Sequence, residues 1–383
     1  MSVTAPQGFR AAGVAAGLKD GEARDVALVI NDGPSRAAAA VFTSNRVQAA
    51  PVLWTRQVAQ SGRVRAVVLN SGNANACTGP DGFADTHATA ERAAAALSDS
   101  AAEVAVCSTG LIGERLPTTA LLAGVEDAVA VAGRDGGLPA ADAIRTTDTV
   151  AKIAFRRGDG VTVGGMAKGA GMLAPSLATM LAVITTDADF TSEQLDRLLR
   201  QATAVSFDQV DSDGCESTND TVLLLASGAS GTTPDEGEFS ALLTGVCTDL
   251  AGQLVNDAEG ATKNITIEVV RGASTADARQ VARSVARSAL FKCAIYGADP
   301  NWGRVLAAVG TTDAVFEPDA LNVAVNGVWV CRQGAQGEPR DKVDLNGRDV
   351  TVTIDLAAGS YAATVWTNDL TPAYVHENSA YST

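Results

Sequence analysis

Between Gly164 and Thr186 the chain reads GGMAKGAGMLAPSLATMLAVITT, and this stretch constrains the fold more than any other. Its four glycines and Pro175 forbid a long regular helix through the first half. The apolar, partly β-branched run Leu181, Ala182, Val183 and Ile184 then predicts a buried strand. Ala178 and Thr179, a small residue followed by a threonine, therefore sit where a loop enters a core strand. Threonine at a strand start is common. A second reading is that the chain cuts its own Ala178–Thr179 bond and that Thr179 becomes an N-terminal nucleophile. A threonine hydroxyl needs a base beside it, and a freed α-amine, with a pKa of about 7.7–8.0, supplies one. That chemistry needs no histidine, which suits a chain holding only His87 and His376.

The rest of the sequence narrows the class. The chain is 46% apolar and 19% charged, a balance that predicts a soluble globular protein rather than a disordered one. A net charge of −15 argues against nucleic acid as a partner. No apolar run is long enough to span a membrane, and the N-terminal residues lack the apolar core of a signal peptide, so the expected location is the cytoplasm. Six dispersed cysteines, at 77, 107, 215, 247, 293 and 331, form no CxxC pair and read as buried thiols rather than a disulfide framework or a zinc site.

Apolar runs predict strands at Asp25–Asn31, Ala38–Phe42, Val64–Leu69, Glu103–Cys107 and Val222–Ala226. Helices are expected at Asp85–Leu97, Thr118–Ala132, Pro139–Arg145, Thr191–Ser206 and Glu236–Asn256, the fourth opened by a capping box at Thr191 and Gln194. Asn264–Arg271 alternates as a half-buried strand, Ala276–Phe291 reads as one amphipathic helix, and Leu321–Cys331, Asp349–Leu356 and Tyr361–Thr367 read as strands. Strands alternating with helices imply an α/β or α+β architecture with layered sheets.

Two nucleotide motifs compete for the glycines. Gly169 to Ala174 satisfies G-x-G-x-x-A with Asp187 beyond it, but Pro175 falls inside the helix that must follow and the preceding strand reads as short. A phosphate-binding P-loop fails, because Lys168 stands between alanine and glycine.

Motifs from end to end carry a resemblance. They are Thr4-Ala5-Pro6 with Gly8-Phe9, NSGNANACTG at 70–79, STGLIG at 108–113 and TTDT at 146–149. GGMAKGAGMLAPSLATM at 164–180, DSDGCESTNDT at 211–221, EGATK at 259–263, GADPNWGRVLAAVG at 297–310 and YVHENSAYST at 374–383 complete the set. With these the chain closely resembles the ornithine acetyltransferase (glutamate N-acetyltransferase) family of arginine biosynthesis. One small departure is His376-Glu377, where many relatives have a basic residue and isoleucine.

The resemblance implies a mixed α/β, layered αββα-type sandwich, like that of N-terminal-nucleophile aminopeptidases, with a second, smaller α/β domain. It implies self-cleavage at Ala178–Thr179 into an α segment, 1–178, and a β segment, 179–383, which interleave in one folded unit and assemble as two of each. Thr179 is then the nucleophile, and Thr109 and Gly110 match the oxyanion-stabilising pair. Substrate-binding positions map to Thr146, Lys168, Thr179, Glu259, Asn378 and Thr383. Lys168 suits a carboxylate and Glu259 an amine. The implied reaction moves acetyl from N2-acetylornithine to glutamate through an acetyl-threonyl ester, with no metal or organic cofactor. Acetyl-CoA as a second donor stays open, as does an aminopeptidase or amidase of the same broad fold. Taken singly, Lys168 also reads as a solvated loop lysine and Thr109-Gly110 as a plain turn.

Overall fold

Residues 2–174 and 180–380 are described by a computed structural model of the chain. Ala178, Thr179 and Thr383 lie outside the described residues. The chain folds as two units, one built from Met1–Asp208 and Cys215–Asp257, the other from Gln209–Gly214 and Ala258–Ser382.

The first unit runs β1 (Phe9–Val14), β2 (Val26–Asn31), β3 (Ala38–Phe42), α1 (Ala50–Ala59), β4 (Ala66–Asn70), α2 (Gly79–Leu97), β5 (Val104–Ser108), α3 (Thr118–Val131) and α4 (Gly137–Ala143). It continues with β6 (Lys152–Gly158), β7 (Val161–Lys168), β8 (Leu181–Thr186), α5 (Ser192–Ala204), β9 (Thr221–Ala226) and α6 (Glu236–Asn256). One sheet has the order β1-β2-β4-β5 and the other β3-β9-β8-β7-β6.

Period-two alternation sets the layers. Val26, Leu28 and Ile30 of β2 join Ala90 and Ala93 of α2 and Leu121 and Val125 of α3 in one cluster. Their neighbours Ala27 and Val29 join Met166, Leu181, Val183, Leu223 and Leu225 of the second sheet in another. Helices α5 and α6 cover that second sheet, packing on β3, β6 and β7. The first unit is thus a layered αββα sandwich, the architecture expected. Its second sheet takes β6 and β7 from before residue 178 and β8 and β9 from after it.

The second unit holds β10 (Asn264–Gly272), α7 (Thr275–Ala286), α8 (Ala289–Tyr296), α9 (Trp302–Val309), β11 (Asn322–Val325), β12 (Val328–Arg332), β13 (Ala335–Gln336), β14 (Asp349–Asp355), β15 (Tyr361–Asn368) and α10 (Pro372–Ala380). Its sheet has the order β13-β12-β11-β14-β10-β15. Ile265, Ile267 and Val269, the inward set of β10, pack on Val281 and Val285 of α7.

Several expectations are corrected. Leu321–Cys331 is not one strand but the hairpin β11–β12, turning at Asn326-Gly327, both with positive φ as a type I′ turn requires. Ala276–Phe291 is two helices, because the Ser288 hydroxyl caps α8 by accepting from the Phe291 N–H. Three cysteines are exposed, Cys77, Cys215 and Cys293, so only Cys107, Cys247 and Cys331 are the buried thiols expected. Gly164 and Gly165 lie inside the fully buried β7, which is eight residues long rather than short. They serve close packing: a Cβ on Gly164 would stand 2.2 Å from the Ser2 carbonyl oxygen, and one on Gly165 3.0 Å from Leu250 Cδ1 of α6. The dinucleotide reading fails on topology, since β7 and β8 are adjacent and antiparallel whereas that motif joins parallel strands.

Candidate active site

The apolar residues of β5 pair it in parallel with β4 in the core, and polar residues follow where both strands end. There Ser108 Oγ donates to Asn70 Oδ1 at 2.6 Å, and the Thr109 N–H donates to the Asn70 carbonyl at 3.0 Å. Asn219 clamps the same corner, its amide donating to the carbonyls of Ala74 at 2.6 Å and Ser108 at 2.8 Å. Leu111 N–H donates to the Gly72 carbonyl at 3.0 Å. Between these two used amides, the Gly110 N–H has no hydrogen-bond partner among the described residues. Gly110 itself is demanded by the backbone. Its φ is +124°, and a Cβ there would fall 2.0 Å from the Gly72 carbonyl oxygen.

Lys168 ends β7 and is buried at 2% exposure, which overturns the solvated-loop alternative. Its ammonium donates to Thr109 Oγ1 at 3.1 Å and to Thr146 Oγ1 at 2.9 Å. Each hydroxyl accepts from the lysine and so keeps its own proton to give elsewhere.

Beneath this trio lies a buried ionic chain. Asp148 accepts from the Thr146 N–H at 3.1 Å, the Gly169 N–H at 2.7 Å and the Lys152 ammonium at 2.6 Å. Lys152, whose side chain is fully buried, also donates to Asp257 at 2.6 Å, just beyond α6. Asp257 in turn accepts from the Thr149 N–H at 3.0 Å and from its hydroxyl. Burial alone would raise the Asp148 carboxyl, but the Lys168 and Lys152 charges and the Gly169 N–H outweigh it and hold the group below the usual carboxylate range.

Asp220, wholly buried before β9, accepts the Met180 N–H at 2.8 Å through Oδ1. Burial pushes this carboxyl well above the ordinary value, against the Met180 N–H and the Lys168 charge. In the second unit Asn378 Nδ2 donates to Glu259 Oε2 at 3.0 Å, which leaves Glu259 Oε1 outside that bond.

The family model for ArgJ matches residues 10–383. The chain is 74% identical over 383 residues, all of both chains, to the arginine biosynthesis bifunctional protein ArgJ of Thermobifida fusca. The chain belongs to the ArgJ family. It is therefore an enzyme of arginine biosynthesis. It is also 64% identical over 382 residues, again all of both chains, to the protein of the same name from Streptomyces coelicolor. A crystal structure of ornithine acetyltransferase complexed with ornithine from Mycobacterium tuberculosis aligns at 65% identity over 45% of this chain and 94% of that one, with a TM-score of 0.45.

Of the residues singled out from sequence, Thr109, Gly110, Thr146 and Lys168 come together in the first unit, and Glu259 pairs with Asn378 in the second. Asp148, Lys152, Asp257, Asn219 and Asp220 carry this geometry but had no assigned role. Asp148 stands inside TTDT, and Asn219 and Asp220 inside DSDGCESTNDT, so motif membership was a usable signal for three of them. Lys152 and Asp257 belong to no motif, and only packing reveals them.

Proposed function

We propose that this enzyme is a glutamate N-acetyltransferase that takes acetyl from N2-acetylornithine through an ester on Thr179, after cutting its own Ala178–Thr179 bond. The observation that carries the reading is the corner where Lys168 bonds the Thr109 and Thr146 hydroxyls beside the Gly110 N–H, unspent among the described residues. In this mechanism Thr179 Oγ1 attacks the acetyl carbonyl carbon while its α-amine takes the hydroxyl proton. The Thr109 hydroxyl and the Gly110 N–H receive the developing oxyanion, each worth about 2.7–4 kcal/mol by analogy with other acyl-transfer sites. The amine of ornithine leaves with a proton, and the amine of glutamate attacks the ester. Lys168 and Thr146 meet a substrate carboxylate, Glu259 an amine, and Asn378 and Thr383 add neutral hydrogen bonds.

A sheet that mixes strands from 1–178 and 179–383 is consistent with two segments that stay folded together after the cut, and two copies of each complete the proposed assembly in the cytoplasm. Among the described residues no helix is long and apolar enough to cross a membrane. The relatives' name, bifunctional, supports acetyl-CoA as a second donor.

The test follows the acetyl group. Acetyl-labelled acetylornithine, and in parallel acetyl-labelled acetyl-CoA, are given to the enzyme with glutamate. Label is expected on glutamate from acetylornithine; label recovered only as acetate would make the protein a hydrolase and overturn the reading. Gly110→Ala is expected to lower kcat by about 10²–10³-fold, because the added methyl forces the backbone from Gly72 and turns the N–H away from the oxyanion. Steady-state kinetics on the folded variant checks this.

A further inference from the structure

The Asp148 carboxylate binds the main chain beside two of the substrate-facing groups at once. Its Oδ2 accepts the backbone N–H of Thr146 and its Oδ1 that of Gly169, the residue after Lys168. Thr146 and Lys168 stand 22 positions apart in sequence, so one carboxylate spans two segments that local structure does not join. The lysine ammonium rides on a flexible four-carbon stem, so a small shift of its anchor moves it. A misplacement of about 1 Å at a binding group can cost about 10²-fold in rate.

Resting on the acyl-transfer reading above, we propose that Asp148 is a positioning residue for both half-reactions, holding Thr146 and Lys168 in the geometry from which they meet the carboxylate of donor and acceptor alike. The bonding pattern demands an ionised carboxylate. All three of its partners are donors, and they arrive on both oxygens. Asparagine has one acceptor oxygen, so its NH2 must face either the Thr146 N–H or the Gly169 N–H and Lys152 ammonium. The main chain at 148 is held independently, since the Arg145 guanidinium donates to the Asp148 carbonyl at 3.1 and 2.9 Å and to the Thr149 carbonyl at 3.0 Å. Asp148→Asn therefore disturbs the side-chain clamp more than the loop.

The experiment measures KM and kcat of Asp148→Asn for acetylornithine and for glutamate, with intact mass to follow the cut. KM is independent of the fraction of enzyme that is active, so a purely structural defect lowers kcat alone. The expected result is a cut protein whose KM rises about tenfold for both amino acids. Unchanged KM values, a rise for one substrate only, or an uncut chain each overturn the proposal. If Asp148→Asn does not fold, Asp148→Glu keeps the charge but moves both oxygens by one methylene; a KM rise for both amino acids is again expected, and unchanged values or a rise for one alone overturn the proposal. A wild-type enzyme that transfers no acetyl would instead overturn the acyl-transfer reading itself.

Discussion

Thr179→Ala is expected to remain a single uncut chain of 38.9 kDa and to lose acetyl transfer. Two losses follow from one missing hydroxyl. Without Oγ1 nothing attacks the Ala178 carbonyl, so no α-amine is freed to act as base. Without the nucleophile no acetyl ester forms, and the oxyanion donors have no tetrahedral intermediate to stabilise. Removing a nucleophile of this kind costs about 10⁶-fold in kcat in a serine protease, and a fall to background is expected here. Intact mass and the labelled-acetyl assay read the two losses separately. Thr179→Ser, which retains a hydroxyl and the potential for a free amine, is expected to cut and to keep part of the activity. A cut and active Thr179→Ala protein would sink the mechanism.

Lys152→Met is expected to destabilise the fold by about 3–5 kcal/mol, the usual consequence of removing one partner from a buried ion pair. Methionine matches the lysine stem in length, so the loss is one of charge: Asp148, fully buried in its side chain, and Asp257, one-tenth exposed, lose their shared cation. The pH dependence follows from the sign of the Asp148 shift. Its folded carboxyl lies below the unfolded value near 3.8, so its contribution is fully present above that value and is lost as pH falls through the folded one. With Lys152 gone, burial persists while one of the charges opposing it is missing, and the Asp148 carboxyl rises. The variant's deficit against wild type is therefore expected to shrink as pH falls from about 7 to about 5, because protonation relieves the unpaired Asp148 in the folded variant while the wild-type carboxylate stays ionised. Denaturant midpoints of both proteins at the two pH values measure this, and equal midpoints would refute the ionic role given to Lys152.

Local patterns in the sequence carried much of the fold. The alternation in Asn264–Arg271 is the alternation of β10 in burial, and the capping box at Thr191 and Gln194 opens α5 as expected. Such features depend on residues a few positions apart, which is why they are legible without a structure. Element boundaries rest on signals of the same short range. Asn326-Gly327 marks a hairpin and Ser288 a helix start, each by its own chemistry.

The site shows the other side. Thr109, Gly110, Thr146 and Lys168 could be marked from their motifs, but the sequence leaves Lys168 with a solvated alternative and reads the glycines at 164 and 165 only as a bar to a long helix. The sequence does not show that Lys168 and Lys152 are buried, because Thr109 and Asp257, which meet them in the fold, stand 59 and 105 positions away. The two glycines pack against a carbonyl and a leucine from remote segments. By itself the sequence determined the family, the layered α/β class and most of the helices and strands, since these rest on motifs and short-range periodicity. The tertiary structure alone decided which charges are buried, which amide is left unspent among the described residues and which carboxylate joins Thr146 to Lys168, because each depends on groups that meet only when distant segments pack.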